Sequence, residues 1–296
     1  MTQSGIALID KPSGWTSHDV VAKVRKALGT KKVGHAGTLD PMATGLLVLG
    51  INSGTKLLTF LVGADKSYRA TIRLGSSTVT DDAEGEIVAR ASSEALAKVS
   101  DSDITNAISK LTGEISQRPS SVSAIKVKGE RAYDLVRKGE EVELATRKVT
   151  VSKFEILNGP LRSDHQIDLE VIVDCSSGTY VRALARDLGE ILGVGGHLTA
   201  LRRERVGSYF LENANSIDRL ESIELTPLAA AACAIMPSRT LSMQEVVDLG
   251  HGKRITKEQE SGLVAGIGPS GKLIAVLEPK GTDLKSVVVF GGESNG

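Results

Sequence analysis

Short apolar runs alternate with polar turns rich in glycine, proline and serine along the whole chain. Residues 6–9 and 46–49 are continuously apolar, which is typical of short buried strands, although the second run also fits the start of a helix. Residues 66–75 instead alternate apolar and polar side chains, which predicts a half-exposed strand. Residues 149–157 and 166–174 predict an antiparallel pair of strands flanking a turn at 158–160.

Helical spacing of apolar residues appears in three other places. The first helix is predicted from Thr16 or Ser17, either of which can cap it, to about residue 28. Residues 92–111 predict helical segments interrupted near 100–103, where a second cap is available, and the second half of 175–189 has helical spacing. We expect these strands and helices to form an α+β fold.

Composition narrows the classes of protein that the chain can represent. Its 296 residues are 41% hydrophobic and 24% charged, which is ordinary for a soluble globular protein. The 36 basic and 36 acidic side chains cancel, so contact with nucleic acid must come from local clusters. Cys175 and Cys233 are too few for a disulfide framework, and the apolar window 225–236 is too short to span a bilayer. We therefore expect a cytoplasmic protein without a signal peptide or membrane segment.

The densest candidate chemistry lies just before the second apolar run. Residues 34–45 contain His35, Asp40 and three glycines, and Pro41 biases Asp40 away from helical backbone and onto a loop. A buried run behind such a loop would hold a reactive carboxylate at the edge of the core. The alternative is an Asx turn, in which Asp40 only accepts hydrogen bonds from its own backbone.

The segment Gly-His-Ala-Gly-Thr-Leu-Asp-Pro-Met-Ala-Thr-Gly-Leu-Leu, residues 34–47, resembles the catalytic loop of the TruB family of bacterial tRNA pseudouridine-55 synthases. A single aspartate in that loop is the family's nucleophile, which implies this role for Asp40. Residues 11–17, Lys-Pro-Ser-Gly-Trp-Thr-Ser, resemble the family's first motif, which braces the loop. The resemblance is strong from about residue 6 to residue 205 and looser to residue 290.

Further motifs imply partners for Asp40. Gly-Thr-Tyr-Val-Arg, residues 178–182, resembles the motif whose arginine pairs with the catalytic aspartate, so we expect Arg182 within about 4 Å of Asp40, where it keeps the carboxylate ionised and oriented. The resemblance also places Tyr180 in the uridine pocket. Lys-Ser-Tyr, residues 66–68, resembles the tyrosine motif, which implies that Tyr68 stacks on a flipped uracil with its hydroxyl near the base carbon that loses a proton. Core packing is the alternative for this ring.

The same resemblance implies the remaining contacts with RNA. Leu201 should touch the base, and Arg202, Arg203 and Arg205 are candidates for phosphate contact. His35 should contact the substrate and help to extrude the nucleotide, whereas a histidine beside a glycine is otherwise most often a structural hydrogen-bonding group. On the first predicted helix and after it, five basic residues are as compatible with phosphate contact as with simple solvation: Lys23, Arg25, Lys26, Lys31 and Lys32.

Residues 117–133 resemble the family's RNA-gripping insertion, which we place at about 114–146. Basic and hydroxyl side chains here suit phosphate contact, and Lys126, Lys128 and Arg131 are the implied RNA ligands. Ser120 and Val122 stand where the family usually has a proline and an aromatic residue.

The acidic turn at residues 78–85 predicts a solvated loop, because its carboxylates form an incomplete ligand set for a metal. The histidines do not fit a zinc set, and neither a Ser-His-Asp motif nor a phosphate-binding loop is present. We therefore expect neither a metal nor an organic cofactor.

The family implies a pseudouridine synthase fold, with a central mixed, largely antiparallel sheet in residues 1–236. Residues 237–296 form short strands with glycines, which predict a small PUA-like, barrel-like RNA-binding module. The implied activity is isomerisation of uridine 55 in the T loop of tRNA by a monomer, on a flipped-out base. Asp40 attacks the base, attacks the sugar or removes a sugar proton. One alternative is a tRNA-folding helper with incidental catalysis. Another is a hydrolase, which would require a second carboxylate.

Overall fold

The computed structural model describes residues 3–120, 126–127, 130–131, 145–220 and 223–290. Its strands are β1 Gly5–Lys11, β2 Val33–His35, β3 Thr44–Ile51, β4 Lys66–Leu74, β5 Ser76–Thr78, β6 Ile87–Arg90, β7 Gly113–Gln117, β8 Lys126–Val127, β9 Glu130–Arg131, β10 Arg147–Arg162, β11 Ile167–Cys175, β12 Gly196–Val206, β13 Tyr209–Phe210, β14 Asn215–Ser216, β15 Thr226–Pro227, β16 Ser238–Thr240, β17 Ile255–Thr256, β18 Val264–Ile267, β19 Leu273–Lys280 and β20 Asp283–Val289.

The α-helices are α1 Ser17–Ala27, α2 Leu58–Val62, α3 Ser93–Ala97, α4 Asp101–Lys110, α5 Val181–Ile191, α6 Leu228–Ile235 and α7 Met243–Gly250, and 3₁₀ turns span Asn52–Leu57 and Leu211–Asn213. Local sequence sets the helix starts. Thr16 and Ser100 each accept a hydrogen bond from the backbone N–H three residues on, and the aspartate there bonds back to the cap. Both are positions at which a cap was predicted.

A large mixed sheet carries the first part of the chain. Its strands run in the order β14-β1-β3-β12-β4-β11-β10-β7, with β13, β15 and β2 paired at the side of this path. Along the path, β1–β14 and β3–β12 are parallel, and the other neighbours are antiparallel. The predicted α+β class, with a mixed and largely antiparallel central sheet, is confirmed.

A second sheet of five strands follows, in the order β16-β18-β19-β20-β17, with only β16–β18 parallel. It begins at Ser238, close to the predicted start of the small C-terminal module. This sheet is joined to the large sheet through α6, because Leu273 lies in one buried apolar cluster with Ala231 of α6 and Leu46 of β3.

The sequence left the run at 46–49 open between strand and helix, and the structure makes it β3, buried along most of its length. The turn predicted at 158–160 is wrong. Strand β10 continues through these residues to Arg162, and register shifts against β11 absorb the Gly-Pro pair. The chain reverses at 163–166 instead, where the Ser163 N–H donates to the Gln166 carbonyl.

The shared core predicts that the C-terminal sheet stabilises the whole chain. Replacing Leu273 by alanine should lower the free energy of unfolding by about 2–5 kcal/mol, because it leaves a cavity in this cluster. Urea unfolding measures this effect. Leu263→Ala is the control: that side chain is 39% exposed, and its loss should change the free energy by about 0.5 kcal/mol or less. Equal effects of the two substitutions would contradict the shared core.

Candidate active site

Lys11 at the end of β1 and Ser17 at the start of α1 hold the Asp40 loop through hydrogen bonds to its backbone. Lys11 is fully buried, and its Nζ donates to the carbonyls of Pro12, Trp15 and Pro41 at 3.0, 2.6 and 3.2 Å. These three acceptors match the three N–H donors of an ammonium group. The Ser17 hydroxyl binds both backbone groups of Leu39, at 2.9 and 3.2 Å. Asp40 is therefore held by main-chain contacts on both sides, in the bracing role that the first motif implies.

Arg203 fastens the loop from the side of the sheet. It is 1% exposed, and its guanidinium donates to the carbonyls of Leu46, Gly37 and Thr38 at 2.8, 3.2 and 3.4 Å. The predicted contact between Arg203 and RNA phosphate is wrong, because the side chain is turned into the protein and its donors are taken by backbone oxygens. Its role in this structure is to hold the loop against β12.

Strands β3 and β12 meet tightly where Gly45 lies opposite Arg203. Gly45 has φ of +99°, and a Cβ atom there would lie 2.3 Å from the Arg203 carbonyl oxygen. Only glycine combines this backbone conformation with so close an approach.

Arg182 reaches Asp40 from the first turn of α5. Its Nε lies 3.0 Å from Asp40 Oδ2, and its side chain is 7% exposed against 38% for Asp40. Arg182 Nη1 also donates to the Thr80 carbonyl at 2.8 Å and lies 3.4 Å from Asp82 Oδ2. The two residues are 142 positions apart in the sequence (182 − 40), yet the fold forms the ion pair. This geometry leaves the carboxylate as the more accessible of the two charged groups.

The acidic turn at 78–85 is not the solvated loop that the sequence predicts. Asp81 and Asp82 are buried, at 8% and 3% exposure. Asp82 faces Arg182, and Asp81 Oδ2 lies 3.2 Å from Arg186 Nη1. Burial raises the pKa of the Asp81 carboxyl. Arginines from α5 thus offset the cost of burying both carboxylates, and the turn forms a wall behind the Asp40–Arg182 pair.

A pocket of about 290 Å³ opens in front of Asp40. This volume is at the small end of the range of about 300–1,000 Å³ that is typical of ligand sites. Its lining comprises residues 37–40, Val62, Lys66, Tyr68, residues 177–182, Leu201 and Arg203. The predicted residues Asp40, Tyr68, Tyr180, Arg182 and Leu201 are therefore brought together around one cavity.

Tyr68 and Lys66 give the pocket a buried polar side. Tyr68 is 8% exposed, and burial raises the pKa of its phenol, so the hydroxyl keeps its proton near neutral pH. Burial lowers the pKa of Lys66, whose Nζ donates to the carbonyls of Val62 and Ala64 at 3.2 and 2.6 Å. The two groups place a hydroxyl and a cation in a mostly apolar lining.

Tyr180 is fixed by its backbone. Its N–H donates to the side chain of Gln117 at 2.8 Å, and Gln117 donates back to the Tyr180 carbonyl at 3.0 Å. The Arg147 guanidinium lies 5.3 Å from the centre of the Tyr180 ring, a cation–π distance. The ring is therefore held at the mouth of the pocket.

Other predicted contacts lie away from the pocket. His35 is not among the lining residues; its ring meets that of His18 edge to face at 5.7 Å, and burial lowers the pKa of His35. Arg202 is 39% exposed and makes a two-pronged ion pair with Asp10 at 2.6 and 3.1 Å. Lys126 and Arg131 are opposite residues of the β8–β9 pair, and Lys128 lies outside the described residues. Among the described side chains, neither His35 nor Arg202 lines the pocket beside Asp40.

The contacts of Lys11 and Lys66 were not predicted from the sequence, and neither was the burial of Asp81 and Asp82. A charged residue at a strand end normally indicates the surface. Their positions could have indicated these contacts. Lys11 ends β1 and Lys66 begins β4, each as the first residue of a motif, and the two aspartates lie shortly after β5. In the described part of the chain, no group of three or more His, Cys, Asp or Glu residues could hold a metal ion, and none of the helices has the length and apolarity to cross a membrane.

Family models match almost all of this architecture. "TruB family pseudouridylate synthase (N terminal domain)" matches residues 25–181, "tRNA pseudouridylate synthase B C-terminal domain" matches 182–251, and "tRNA Pseudouridine synthase II, C terminal" matches 236–291. Two similar proteins, each named tRNA pseudouridine synthase B, come from Arthrobacter sp. (strain FB24) and Leifsonia xyli subsp. xyli (strain CTCB07). The first is 54% identical over 97% of this chain and 96% of its own length, and the second is 56% identical over 98% and 97%.

Solved structures share the fold at lower identity. A chain in the structure of an H/ACA RNP bound to a substrate RNA containing 2'-deoxyuridine has a TM-score of 0.71 and 23% identity, over 98% of this chain and 86% of that one. A chain in a Cbf5-Nop10-Gar1 complex has a TM-score of 0.71 and 24% identity, over 97% and 85%. Both show that the fold described above occurs in known structures.

The buried ammonium of Lys11 predicts a pH effect on stability. Burial lowers the pKa of Lys11 from its ordinary value of 10.5 to about 8, so between these values the unfolded chain binds more protons than the folded one. Stability must then rise with pH across this window. The free energy of unfolding of the wild type, minus that of Lys11→Met, should increase by about 1–3 kcal/mol between pH 8 and 10.5. Urea unfolding at a series of pH values measures it, and a flat difference would show that Lys11 titrates alike in both states.

Proposed function

Because the chain belongs to the TruB family of pseudouridylate synthases, we propose that it isomerises uridine 55 in the T loop of tRNA to pseudouridine, with Asp40 as the nucleophile. The observation that carries the proposal is the Asp40–Arg182 pair, at 3.0 Å, facing a pocket of nucleobase size. Relatives above 50% identity that span nearly the whole chain bear the name tRNA pseudouridine synthase B.

The pocket accounts for the need to flip the base. Uracil inside a folded loop cannot reach a carboxylate that is only partly exposed at a cavity mouth, so the nucleotide must leave its stack. Tyr68 and Leu201 offer the flipped base buried surface, and Tyr180 closes the mouth. Stacking on aromatic rings replaces what the base loses in the RNA.

The reaction exchanges one glycosidic bond for another within the same nucleotide. Asp40 acts on the bound uridine, the bond between the sugar and the base nitrogen breaks, and the detached base turns and rejoins through a ring carbon. That carbon loses a proton and the freed nitrogen gains one, so the product is an isomer of the substrate. Arg182 holds the carboxylate ionised and oriented through a charge-assisted contact, and the protonated Tyr68 hydroxyl lies at the pocket wall.

The RNA contacts and the domain division complete the proposal. Residues 1–236 form the catalytic domain, with an RNA-gripping insertion at about 114–146, and residues 237–296 form a PUA-like RNA-binding module. Lys126, Lys128, Arg131 and Arg202 bind the T stem-loop, and His35 contacts the nucleotide as it leaves the loop. The protein acts in the cytoplasm as a monomer.

A tRNA-folding helper with incidental catalysis is not favoured, because such a protein has no use for an ion pair directed into a pocket. A hydrolase using Asp40 would need a second catalytic carboxylate. Among the described residues, Asp82 contacts Arg182 and is buried, and Glu84 interacts electrostatically with Asp40, but neither carboxylate lines the pocket.

Replacing Asp40 by asparagine should lower pseudouridine formation at position 55 by at least about 10⁴-fold, because the amide keeps the shape but not the nucleophile. Binding to tRNA should persist. Pseudouridine mapped at single-nucleotide resolution on an unmodified transcript, together with a filter-binding assay, measures both. Asp248→Asn is the control, since that carboxylate lies in α7 and pairs with Lys253. Isomerisation at the wild-type rate in Asp40→Asn would rule out the nucleophile.

Replacing Tyr68 by phenylalanine should lower kcat by about 10²–10⁴-fold with little change in tRNA binding, because the ring remains while the hydroxyl is lost. Single-turnover kinetics on a T stem-loop separate the chemical step from binding. Tyr209→Phe is matched to it: Tyr209 is also a buried tyrosine, and its hydroxyl donates to the Ala231 carbonyl at 3.3 Å. If Tyr68→Phe reacts as fast as Tyr209→Phe, the role of Tyr68 is limited to packing.

A further inference from the structure

Ser120 stands where the resemblance expects a proline, and the structure gives its hydroxyl a defined place. The residue is fully buried, with its Oγ 2.7 Å from Asp81 Oδ2 and 3.2 Å from the Thr80 carbonyl oxygen. A proline could make neither contact, because it carries no side-chain donor.

These contacts connect Ser120 with the catalytic pair. The Thr80 carbonyl also accepts a hydrogen bond from Arg182 Nη1 at 2.8 Å, and Arg182 Nε lies 3.0 Å from Asp40. One backbone oxygen therefore joins Ser120 to the arginine that orients the nucleophile.

The turn at 80–82, which carries the Thr80 carbonyl, is held in place by side-chain contacts to Asp81. Asp81 has φ of +58°, a left-handed conformation that aspartate adopts more readily than most residues other than glycine. Its carboxylate accepts hydrogen bonds from Ser120 and Arg186, and Arg186 Nη2 also donates to the Arg118 carbonyl at 2.7 Å. The chain at Arg118 and Ser120 is thus attached to the turn at 80–82 and to α5.

We propose that Ser120 is a positioning residue for the isomerisation: its hydroxyl fixes the turn at 80–82, and through Thr80 and Asp82 this turn sets the guanidinium of Arg182 against Asp40. The proposal rests on the proposed function of this site. Ser120 is not among the residues lining the pocket, so its effect passes through Arg182. A hydroxyl at this position supplies the buried Asp81 with a donor.

The charges around Asp81 give the proposal a pH signature. Arg182 and Arg186 of α5 lower the pKa of the Asp81 carboxyl, as does the Ser120 hydrogen bond, while burial and Asp82 raise it. Asp187, also on α5, faces the same carboxylate. Loss of the Ser120 hydroxyl therefore raises the pKa of Asp81, and its protonation at higher pH releases Arg186 from the turn.

The test compares Ser120→Ala with the wild type on an unmodified T stem-loop. We expect kcat to fall about three- to thirty-fold, less than the full loss of one buried hydrogen bond to a charged group because the effect on the chemistry is indirect, with KM changed less than twofold. The acid limb of the kcat profile should move to higher pH. Tyr209→Phe, which removes a buried hydroxyl remote from the turn, should leave both kcat and the profile unchanged.

A double-mutant cycle with Asp81→Asn identifies the route of the effect. In that background, Ser120→Ala should lower kcat by less than a further twofold, because the hydroxyl has lost its charged partner. An unchanged kcat and pH profile in Ser120→Ala would overturn the proposal, and so would an effect that is additive with Asp81→Asn, or a loss confined to KM and melting temperature. A wild-type protein that forms no pseudouridine would instead refute the proposed function.

Discussion

A buried guanidinium is the constraint from which the rest of the site follows. Arg182 is nearly inaccessible to water and lies in the first turn of α5, where the helix dipole disfavours a positive charge. Leaving such a charge without partners costs about 3–5 kcal/mol. Asp82 and the Thr80 carbonyl satisfy the protein side of the group, which leaves Asp40 as the partner at the cavity. Arg182 therefore orients the Asp40 carboxylate, while other contacts hold the loop that carries it.

The loop that carries Asp40 is held by cations of a different kind. Lys11 and Arg203 are both buried, and both bind backbone carbonyl oxygens of the loop or its neighbours. Their contacts fix the path of the main chain, whereas Arg182 fixes the direction of one side chain. Because the carbonyls are present whatever the loop side chains are, this support does not depend on the chemistry at Asp40.

The sequence predicted those features that local rules or a motif can specify. Helix starts at Thr16 and Ser100 follow from capping chemistry, and the alternation along β4 follows from a sheet with one buried face. The meeting of Asp40 and Arg182 came from resemblance, since no local rule brings together residues so distant in the chain.

The misassigned residues share one physical cause. Arg203 was predicted to contact RNA, and the acidic turn was predicted to lie in solvent. Both are buried, because partners far along the chain satisfy their charges. Composition and spacing do not reveal such partners. The turn expected at 158–160 failed for a related reason: a Gly-Pro pair breaks a helix, but an edge of a long strand accommodates it through shifts of register.

The close approach of Gly45 to the Arg203 backbone affects which partner, enzyme or RNA, changes conformation on binding. The backbone of β12 lies so close to Gly45 that a methyl group would not fit between them. The end of the Asp40 loop, where it enters β3, therefore has little freedom to deform. In the proposed reaction, adaptation then comes from the nucleic acid, whose target nucleotide swings out and adopts the shape that the cavity already has. Tight packing around one glycine therefore favours a conformational change in the substrate over one in the protein.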